Sequence, residues 1–218
     1  MRKYRCYHPE KLEGEITLLP TEAKHLQVLR VRDGDKVEVV DGKGSIAEGI
    51  FQNKVIEITS SKHFPEPKPK IILAATLIKQ SRLEWLIEKG TELGTHAFWL
   101  FPSDHSERKN ISSNHLTRLE AAALSAFKQC KRLYLPQIQL LDKMPKPQRE
   151  GVFGDLRENA PPLQTAKEDT TVYIGPEGGF SEKEHAQLEK MANGARLGRH
   201  VLRAETAAIA ALSTLAGT

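Results

Sequence analysis

Hydrophobic and polar residues alternate along the first 60 positions, and after residue 66 they gather into longer apolar blocks separated by helical patterns. In "KVEVVDGKGSIAEGIF" the alternation runs on both sides of Asp41-Gly42, and period two around a tight-turn dipeptide predicts a β-hairpin. Ahead of it, "TEAKHLQVLRVRDGD" reads as a short helix opened by Thr21, then a turn at Asp33-Gly34. "GKGSIA" inside the hairpin has the spacing G-x-G-x-x-A, but a second strand follows it. A dinucleotide loop needs a helix there, so that reading fails. Residues 1–66 therefore predict a small β-rich domain. "SKHFPEPKPK", Ser61 to Lys70, has three prolines at alternating positions and reads as an extended connector.

Residues 67–218 alternate strand and helix. "KIILAATLI" is a continuous apolar strand; "SRLEWLIEKGTELG" offers Ser81 and Glu84 as a capping box and Gly94 as a stop. "HAFWLF" is the next strand, and "NHLTRLEAAALSAFKQCKR" a helix with Leu116, Leu119, Ala123 and Phe127 on one side. "LPQIQLL", "GVFGDL" and "TVYIG" follow as strands, with "RENAPPLQTAKED" reading as mobile. Ser181 and Glu184 form a second capping box for a helix that Gly194 closes, "ARLG" is short and strand-like, and Ala204 to Leu215 makes a last, alanine-rich helix. Alternating βα units predict an α/β fold with a mainly parallel sheet covered on both faces.

Composition adds partners rather than fold. Among 218 residues, 39% are hydrophobic and 28% charged, which suits a globular protein. The longest weakly apolar run, Ala207 to Ala216, is about half of a bilayer span, so no membrane segment is expected. "MRKYRCYHPE" has no apolar stretch after its basic residues, so the expected compartment is the cytoplasm. Cys6 and Cys130 lack metal or redox spacing, and the eight histidines are scattered; two free thiols and no metal are expected. Net charge is +4, but residues 67–135 hold 11 basic and 6 acidic side chains, while the flanking segments are nearly balanced. A basic surface of this kind suits a polyanion such as nucleic acid.

"TVYIGPEGGFSEKE" breaks an apolar strand into Gly175, Pro176, Glu177, Gly178 and Gly179 before a capped helix. It lacks the lysine of a Walker A loop, so a triphosphate is not expected. Glycines at the C-terminal end of a strand, beside one carboxylate, suit a loop whose backbone lines a neutral or cationic ligand. "IGPEGGFSEKE" with "LGRHVLRAETAAIAAL" closely resembles the paired signatures of the ribosomal RNA small subunit methyltransferase E family, SPOUT-superfamily enzymes that methylate uracil N3. "HLQVLRVRDGDKVEVVDGKG", "EKGTELGTHAFWLFPSDHSERK" and "RLEAAALSAFKQCKRLYLP" resemble further blocks of that family, in the same order. Lys109, where the family often has serine, and Leu119, where it commonly has tryptophan, are departures.

The resemblance implies a PUA-like β-barrel that binds RNA over residues 1–66 and a trefoil-knotted SPOUT methyltransferase domain over 67–218, assembled as a homodimer. It implies S-adenosylmethionine as cofactor, lined by Gly175, Pro176, Glu177, Gly178, Gly179, Leu197, Gly198, Leu202 and Arg203. The substrate it implies is a uridine of small-subunit (16S) ribosomal RNA, free or in the subunit or its precursor. Two alternatives stay open: a non-catalytic RNA-binding assembly factor, and a knotted methyltransferase acting on another nucleotide. For the chemistry, Arg203 and Arg199 are candidates to stabilise charge on the uracil oxygens or to bind a phosphate, and Glu205 is the first candidate base, with Glu177 the second. Candidate RNA contacts are Arg5, Arg30, Arg32, Lys79, Arg82, Lys89, Arg108 and Arg132. Valine at Gly178 is expected to abolish cofactor binding by blocking backbone approach and resisting positive φ. Bulk at Ala208 or Ala211 is expected to break a dimer interface on the last helix.

Overall fold

The computed structural model describes residues 4–157 and 159–217. It divides into two compact units, residues 1–66 with 127–135, and residues 67–126 with 136–218. The segment 127–135, which the sequence pattern assigns with residues 67–218, packs in the first unit.

The first unit holds β1 (Tyr4–Tyr7), β2 (Glu15–Thr17), α1 (Pro20–Val28), β3 (Lys36–Val40), β4 (Ser45–Gln52) and β5 (Val55–His63). They form a five-stranded sheet in the order β1-β3-β4-β5-β2, antiparallel except for β1 against β3. The Asp41-Gly42 hairpin is the β3–β4 connection. Period two appears as burial: Val37 and Val39 point into a core with Cys6, Ile16, Leu26, Ala47 and Ile56. Two boundaries differ from expectation. Helix α1 begins at Pro20, which occupies its first turn without a side-chain cap, because proline's missing N–H costs nothing there; Thr21 lies inside it. Strand β5 runs on to His63, paired with Ser45, so the extended connector is shorter than its prolines and lysines suggest.

Segment 127–135 completes this unit. Tyr7 meets Phe127 edge-on with centroids 6.2 Å apart. Leu135 N–H donates to Gly42 O at 3.0 Å, and Gly44 N–H donates to Leu133 O at 2.9 Å. Glu22, only 1% exposed, accepts from Lys128 at 2.7 Å and from the Tyr7 N–H at 3.2 Å. Such a buried carboxylate needs partners of this kind to be tolerated. Burial pushes the Cys6 thiol up to about 12, leaving it inert as a nucleophile.

The second unit holds β6 (Ile71–Thr76), α2 (Gln80–Glu92), β7 (Ala97–Phe101), α3 (Ser113–Gln129, to residue 126), β8 (Gln137–Leu140), β9 (Glu150–Gly154), β10 (Thr170–Ile174), α4 (Glu182–Leu188), β11 (Asn193–Ala195) and α5 (Ala204–Ala216). Its six strands lie in the order β11-β9-β10-β6-β7-β8, and every pairing is parallel. The continuous apolar runs are explained by this: both faces of the central strands are covered. Ile71, Leu73 and Ala75 face a core with Leu83 and Leu86 of α2, Leu119 of α3, and Ala208 and Leu212 of α5. Ile72 and Ala74 face a second core with Phe153, Tyr173 and Leu188 of α4.

The chain leaves β6 toward β7 and β8 but returns on its other side with β9 and β10. The order therefore reverses between β6 and β10, the place where open α/β sheets present a crevice at their strand C-termini. Here too some expectations give way. Helix α2 starts at Gln80 after Lys79, with no side-chain cap; Ser81 is not a cap. Helix α4 ends at Leu188, and Gly194 belongs to β11 rather than closing the helix. Glu158, within the stretch expected to be mobile, lies outside the described residues. Its neighbours are held: Arg196 N–H donates to Pro161 O at 2.8 Å, Leu163 N–H to Arg196 O at 3.1 Å, and Ala166 N–H to Leu215 O at 3.0 Å.

Candidate functional site

The loops at the C-terminal ends of β10 and β11 carry the cofactor candidates, and the loop after β9 meets the second of them. After β10, the main chain turns at once, with Gly179 N–H donating to Pro176 O at 2.9 Å. The positive φ falls on Gly179, at 71°, and not on Gly178. A side chain at Gly178 is restrained for another reason: its Cβ would stand 3.3 Å from His105 Cβ. The expected strain at Gly178 is thus corrected to a packing restriction.

The loop leads into α4 through the capping box foreseen in the sequence. Ser181 Oγ accepts from Glu184 N–H at 3.3 Å, and Ser181 N–H donates to Glu184 Oε2 at 2.9 Å. A second loop, after β7, braces this box. Ser103 Oγ and Asp104 N–H donate to the Glu184 carboxylate at 2.9 and 3.0 Å, and Ser181 Oγ donates to Asp104 Oδ2 at 2.6 Å. His105 Nδ1 lies 3.2 and 3.1 Å from the carbonyl oxygens of Gly178 and Gly179, and since both are acceptors Nδ1 carries the proton. The Lys109 ammonium donates to Ser103 O and to Asp104 O. The lysine that departs from the family pattern therefore has a structural task in the loop that supports the glycines, and Leu119, the other departure, is fully buried in the core.

After β9, Asp155 is 5% exposed and accepts from Arg157 through its backbone N–H at 3.0 Å, Nε at 2.8 Å and Nη2 at 2.6 Å. Burial alone raises the pKa of this carboxyl; the arginine outweighs it and holds the group below the usual carboxylate range. The loops after β9 and β11 meet where Gly154 faces Leu197: a Cβ on Gly154 would lie 2.9 Å from Leu197 Cδ1. Gly198 is packed likewise, its Cβ position 3.2 Å from Leu202 Cδ1. Leu156 and Val201, 76% and 77% exposed, add apolar surface on the same two loops.

Charged candidates divide sharply. Arg203 is the residue before α5, and its carbonyl accepts Ala207 N–H at 2.8 Å. Arg199 and Arg203 are exposed and make no ion pair among the described residues. Glu205, in the first turn of α5, has a side chain 12% exposed. Its Oε1 is 3.5 Å from Arg82 Nε, while its Oε2 is buried with no hydrogen-bond partner among the described residues. Arg82 also donates from Nη1 to Glu177 Oε1 at 2.6 Å.

The other basic candidates were not separable by sequence. Arg30, Arg32, Lys79 and Arg108 are exposed. Arg5 is drawn inward, with Nη2 donating to Arg132 O at 2.6 Å and its guanidinium 5.8 Å from the Phe127 ring centroid; burial lowers the pKa of both Arg5 and Arg132. Lys89 is held by Glu88 and Glu92 at 2.8 and 2.9 Å, bonds that raise its pKa. Sequence reasoning missed Asp155, Arg157 and His105. Asp155 had a local signal in its position directly after a strand; the partners of His105 lie 73 and 74 residues away.

The alanines of α5 are distributed otherwise than expected. Ala208 and Ala211 are fully buried in a core of this chain with Ile71, Leu73 and Ala75 of β6, so bulk there strikes the β6 side of the fold. The remaining face carries Ala207, Ile209 and Ala210, all partly exposed.

These loops suit S-adenosylmethionine in that they stand at the C-terminal ends of parallel strands beside the order reversal, and they present the exposed apolar side chains of Leu156 and Val201 together with the Glu177 carboxylate. Among the described residues, no helix is long and apolar enough to cross a membrane, and no cluster of metal-ligating side chains occurs.

Comparison with known proteins agrees with the geometry. Residues 20–55 match the RNA methyltransferase PUA domain and residues 65–216 the RNA methyltransferase domain. Among curated relatives, the ribosomal RNA small subunit methyltransferase E of Mesomycoplasma hyopneumoniae is 28% identical, covering 94% of this chain and 96% of the relative. That of Bacillus subtilis is 29% identical, covering 96% and 94%. A crystal structure of the Neisseria gonorrhoeae ribosomal RNA small subunit methyltransferase E bound to S-adenosyl methionine aligns with TM-score 0.84 at 25% identity, over 97% and 96% of the two chains. A predicted RNA methyltransferase from Thermotoga maritima aligns with TM-score 0.80 at 28% identity, over 98% and 97%. With an α/β parallel-sheet unit, a PUA-like unit and a domain match spanning most of its length, the chain belongs to the RNA methyltransferase family.

Proposed function

We propose that this protein uses S-adenosylmethionine to methylate N3 of a uridine in small-subunit (16S) ribosomal RNA, acting in the cytoplasm as a homodimer. The observation that carries the reading is Glu205: a carboxylate in the first turn of the last helix, with one oxygen in an ion pair with Arg82 at 3.5 Å and the other buried with no hydrogen-bond partner among the described residues. A nucleophilic ring nitrogen that must lose its proton requires such an acceptor. The names and the bound S-adenosyl methionine of the relatives support the substrate and cofactor.

In this reading residues 1–66 bind RNA and residues 67–218 carry out transfer. Backbone groups of 175–179 and of 197–203 would line the cofactor, with Leu197 and Leu202 flanking its adenine. S-adenosylmethionine supplies a methyl carbon activated by its positive sulfur. Glu205 Oε2 takes the N3 proton of the uracil, and Arg203 and Arg199 stabilise the negative charge that develops on the uracil oxygens. Exposed, and in no ion pair among the described residues, these two arginines are available to the substrate. Positioning of the nitrogen in line with the methyl carbon supplies much of the acceleration.

The test is transfer of labelled methyl from S-adenosylmethionine to small ribosomal subunits taken from cells lacking this protein, with the product nucleoside identified by mass spectrometry. N3-methyluridine is expected, and Glu205→Gln should lower kcat roughly 10²- to 10⁴-fold. A methyl group found on ribose, or none in the wild type, overturns the assignment.

A further inference from the structure

Arg82 stands in the first turn of α2, immediately beyond β6, on the other side of the order reversal from the glycine loop. Its guanidinium reaches two carboxylates from distant parts of the chain. Nη1 donates to Glu177 Oε1 at 2.6 Å, and Nε lies 3.5 Å from Glu205 Oε1. The side chains of Arg82, Glu177 and Glu205 are 31%, 43% and 12% exposed. One cation thus joins the loop after β10 to the start of α5. From its place among the basic residues of 67–135, Arg82 looks like a phosphate contact; its partners give it different work.

We propose that Arg82 is a positioning residue of the methyl-transfer site, tying Glu177 of the glycine loop to Glu205 of the last helix so that the Glu205 carboxylate is held in one orientation. The inference deepens the proposed function and rests on it for the identity of the substrate. A guanidinium is suited to the task because its planar fork fixes two acceptors at once. The ion pair at Oε1 restrains the carboxylate and with it Oε2, which has no hydrogen-bond partner among the described residues. Loss of the fork frees both the loop and the carboxylate, and small displacements of groups near a reacting centre have large kinetic effects. Glutamine at residue 82 removes the charge and the fork, whereas lysine keeps a charge that can reach only one carboxylate well.

The experiment compares wild type, Arg82→Gln, Arg82→Lys, Glu177→Gln and the double variant Arg82→Gln/Glu177→Gln. Calorimetry of S-adenosylmethionine binding needs neither RNA nor turnover. Arg82→Gln and Glu177→Gln should each weaken binding by about tenfold, and the double variant should be little worse than either, the mark of a coupled pair. At saturating cofactor, Arg82→Gln should lower kcat roughly 10²-fold with the KM for RNA within about twofold, and Arg82→Lys should recover part of the loss. Cofactor affinity unchanged in Arg82→Gln, single losses that multiply in the double variant, or a raised RNA KM at unchanged kcat would each overturn the proposal. The last result would make Arg82 a phosphate contact. A wild type that binds cofactor yet methylates no ribosomal RNA would refute the substrate reading alone, and the calorimetric cycle would still decide the role of Arg82.

Discussion

Alanine at Gly154 adds one methyl group where the loops after β9 and β11 touch. The new Cβ would stand 2.9 Å from Leu197 Cδ1 and 3.6 Å from Leu197 Cγ, whereas carbon atoms at ease lie roughly 3.5–4.0 Å apart. The overlap is confined to the tip of a flexible side chain, so Leu197 turns aside and the β9 backbone stays in place. Holding a side chain away from its preferred rotamer costs about 0.5–1.5 kcal/mol. If Leu197 must recover its position to flank the cofactor, that cost appears as a loss of affinity of roughly 2- to 12-fold. Melting should change by no more than about 4 °C. Gly194 supplies the contrast, because there an added Cβ collides with Asp155 Oδ2, an atom pinned by Arg157 that has no free rotation to give. Gly194→Ala should therefore lose stability first. Calorimetry of S-adenosylmethionine binding beside thermal denaturation separates the two outcomes. Gly154→Ala that binds as wild type, or that loses binding only by unfolding, would refute the reasoning.

Ala211→Leu should act inside the chain's own core, lowering stability by about 1–3 kcal/mol through overpacking, and the fall in Tm should be the same at every protein concentration in scanning calorimetry. The depressed Asp155 carboxyl gives a pH dependence: its folded-state pKa lies below the unfolded one, so its contribution to stability is complete above the ordinary carboxylate value and is lost as pH falls through the lower, folded value. Denaturant midpoints taken down the acid range should show Asp155→Asn less stable than wild type near neutrality, with the difference shrinking below about pH 4. Arg30→Ala with Arg32→Ala should flatten the salt dependence of RNA binding by up to about two in log–log slope, with cofactor affinity unaltered; an unchanged slope takes these two side chains out of the RNA footprint.

Local patterns were legible wherever one element sets its own chemistry. The unbroken apolar run at Ile71–Ile78 announces a strand covered on both faces, and Ser181 with Glu184 forms the capping box its spacing promises. The same spacing at Ser81 and Glu84 fails because a helix neighbour and a tertiary partner claim the carboxylate. Glu84 accepts from Gln80 at 3.2 Å and from Arg118 at 3.0 Å, and the helix has already begun at Gln80. The glycine loop was readable as a tight turn between a strand and a capped helix, but the brace behind it was not, since Ser103, Asp104 and His105 reach it from more than 70 residues away. Charge was the least legible property. Arg5 and Lys89 count as basic residues in any tally, yet one is buried over an aromatic ring and the other is saturated by two glutamates.

The discontinuity of the first unit has a consequence for the order of events during synthesis. Its sheet ends at His63, but the Phe127 ring beside Tyr7, the Lys128 partner of Glu22 and the strand-like bonds of Leu133 and Leu135 are supplied by residues 127–135. As the chain leaves the ribosome, roughly 60 further residues must emerge before Glu22 meets its cation, several seconds at ordinary elongation rates. During that interval β1 to β5 present a half-built core. A fragment ending near residue 66 would keep that gap permanently, so the smallest autonomous form of this unit is one in which a graft of 127–135 is joined to it.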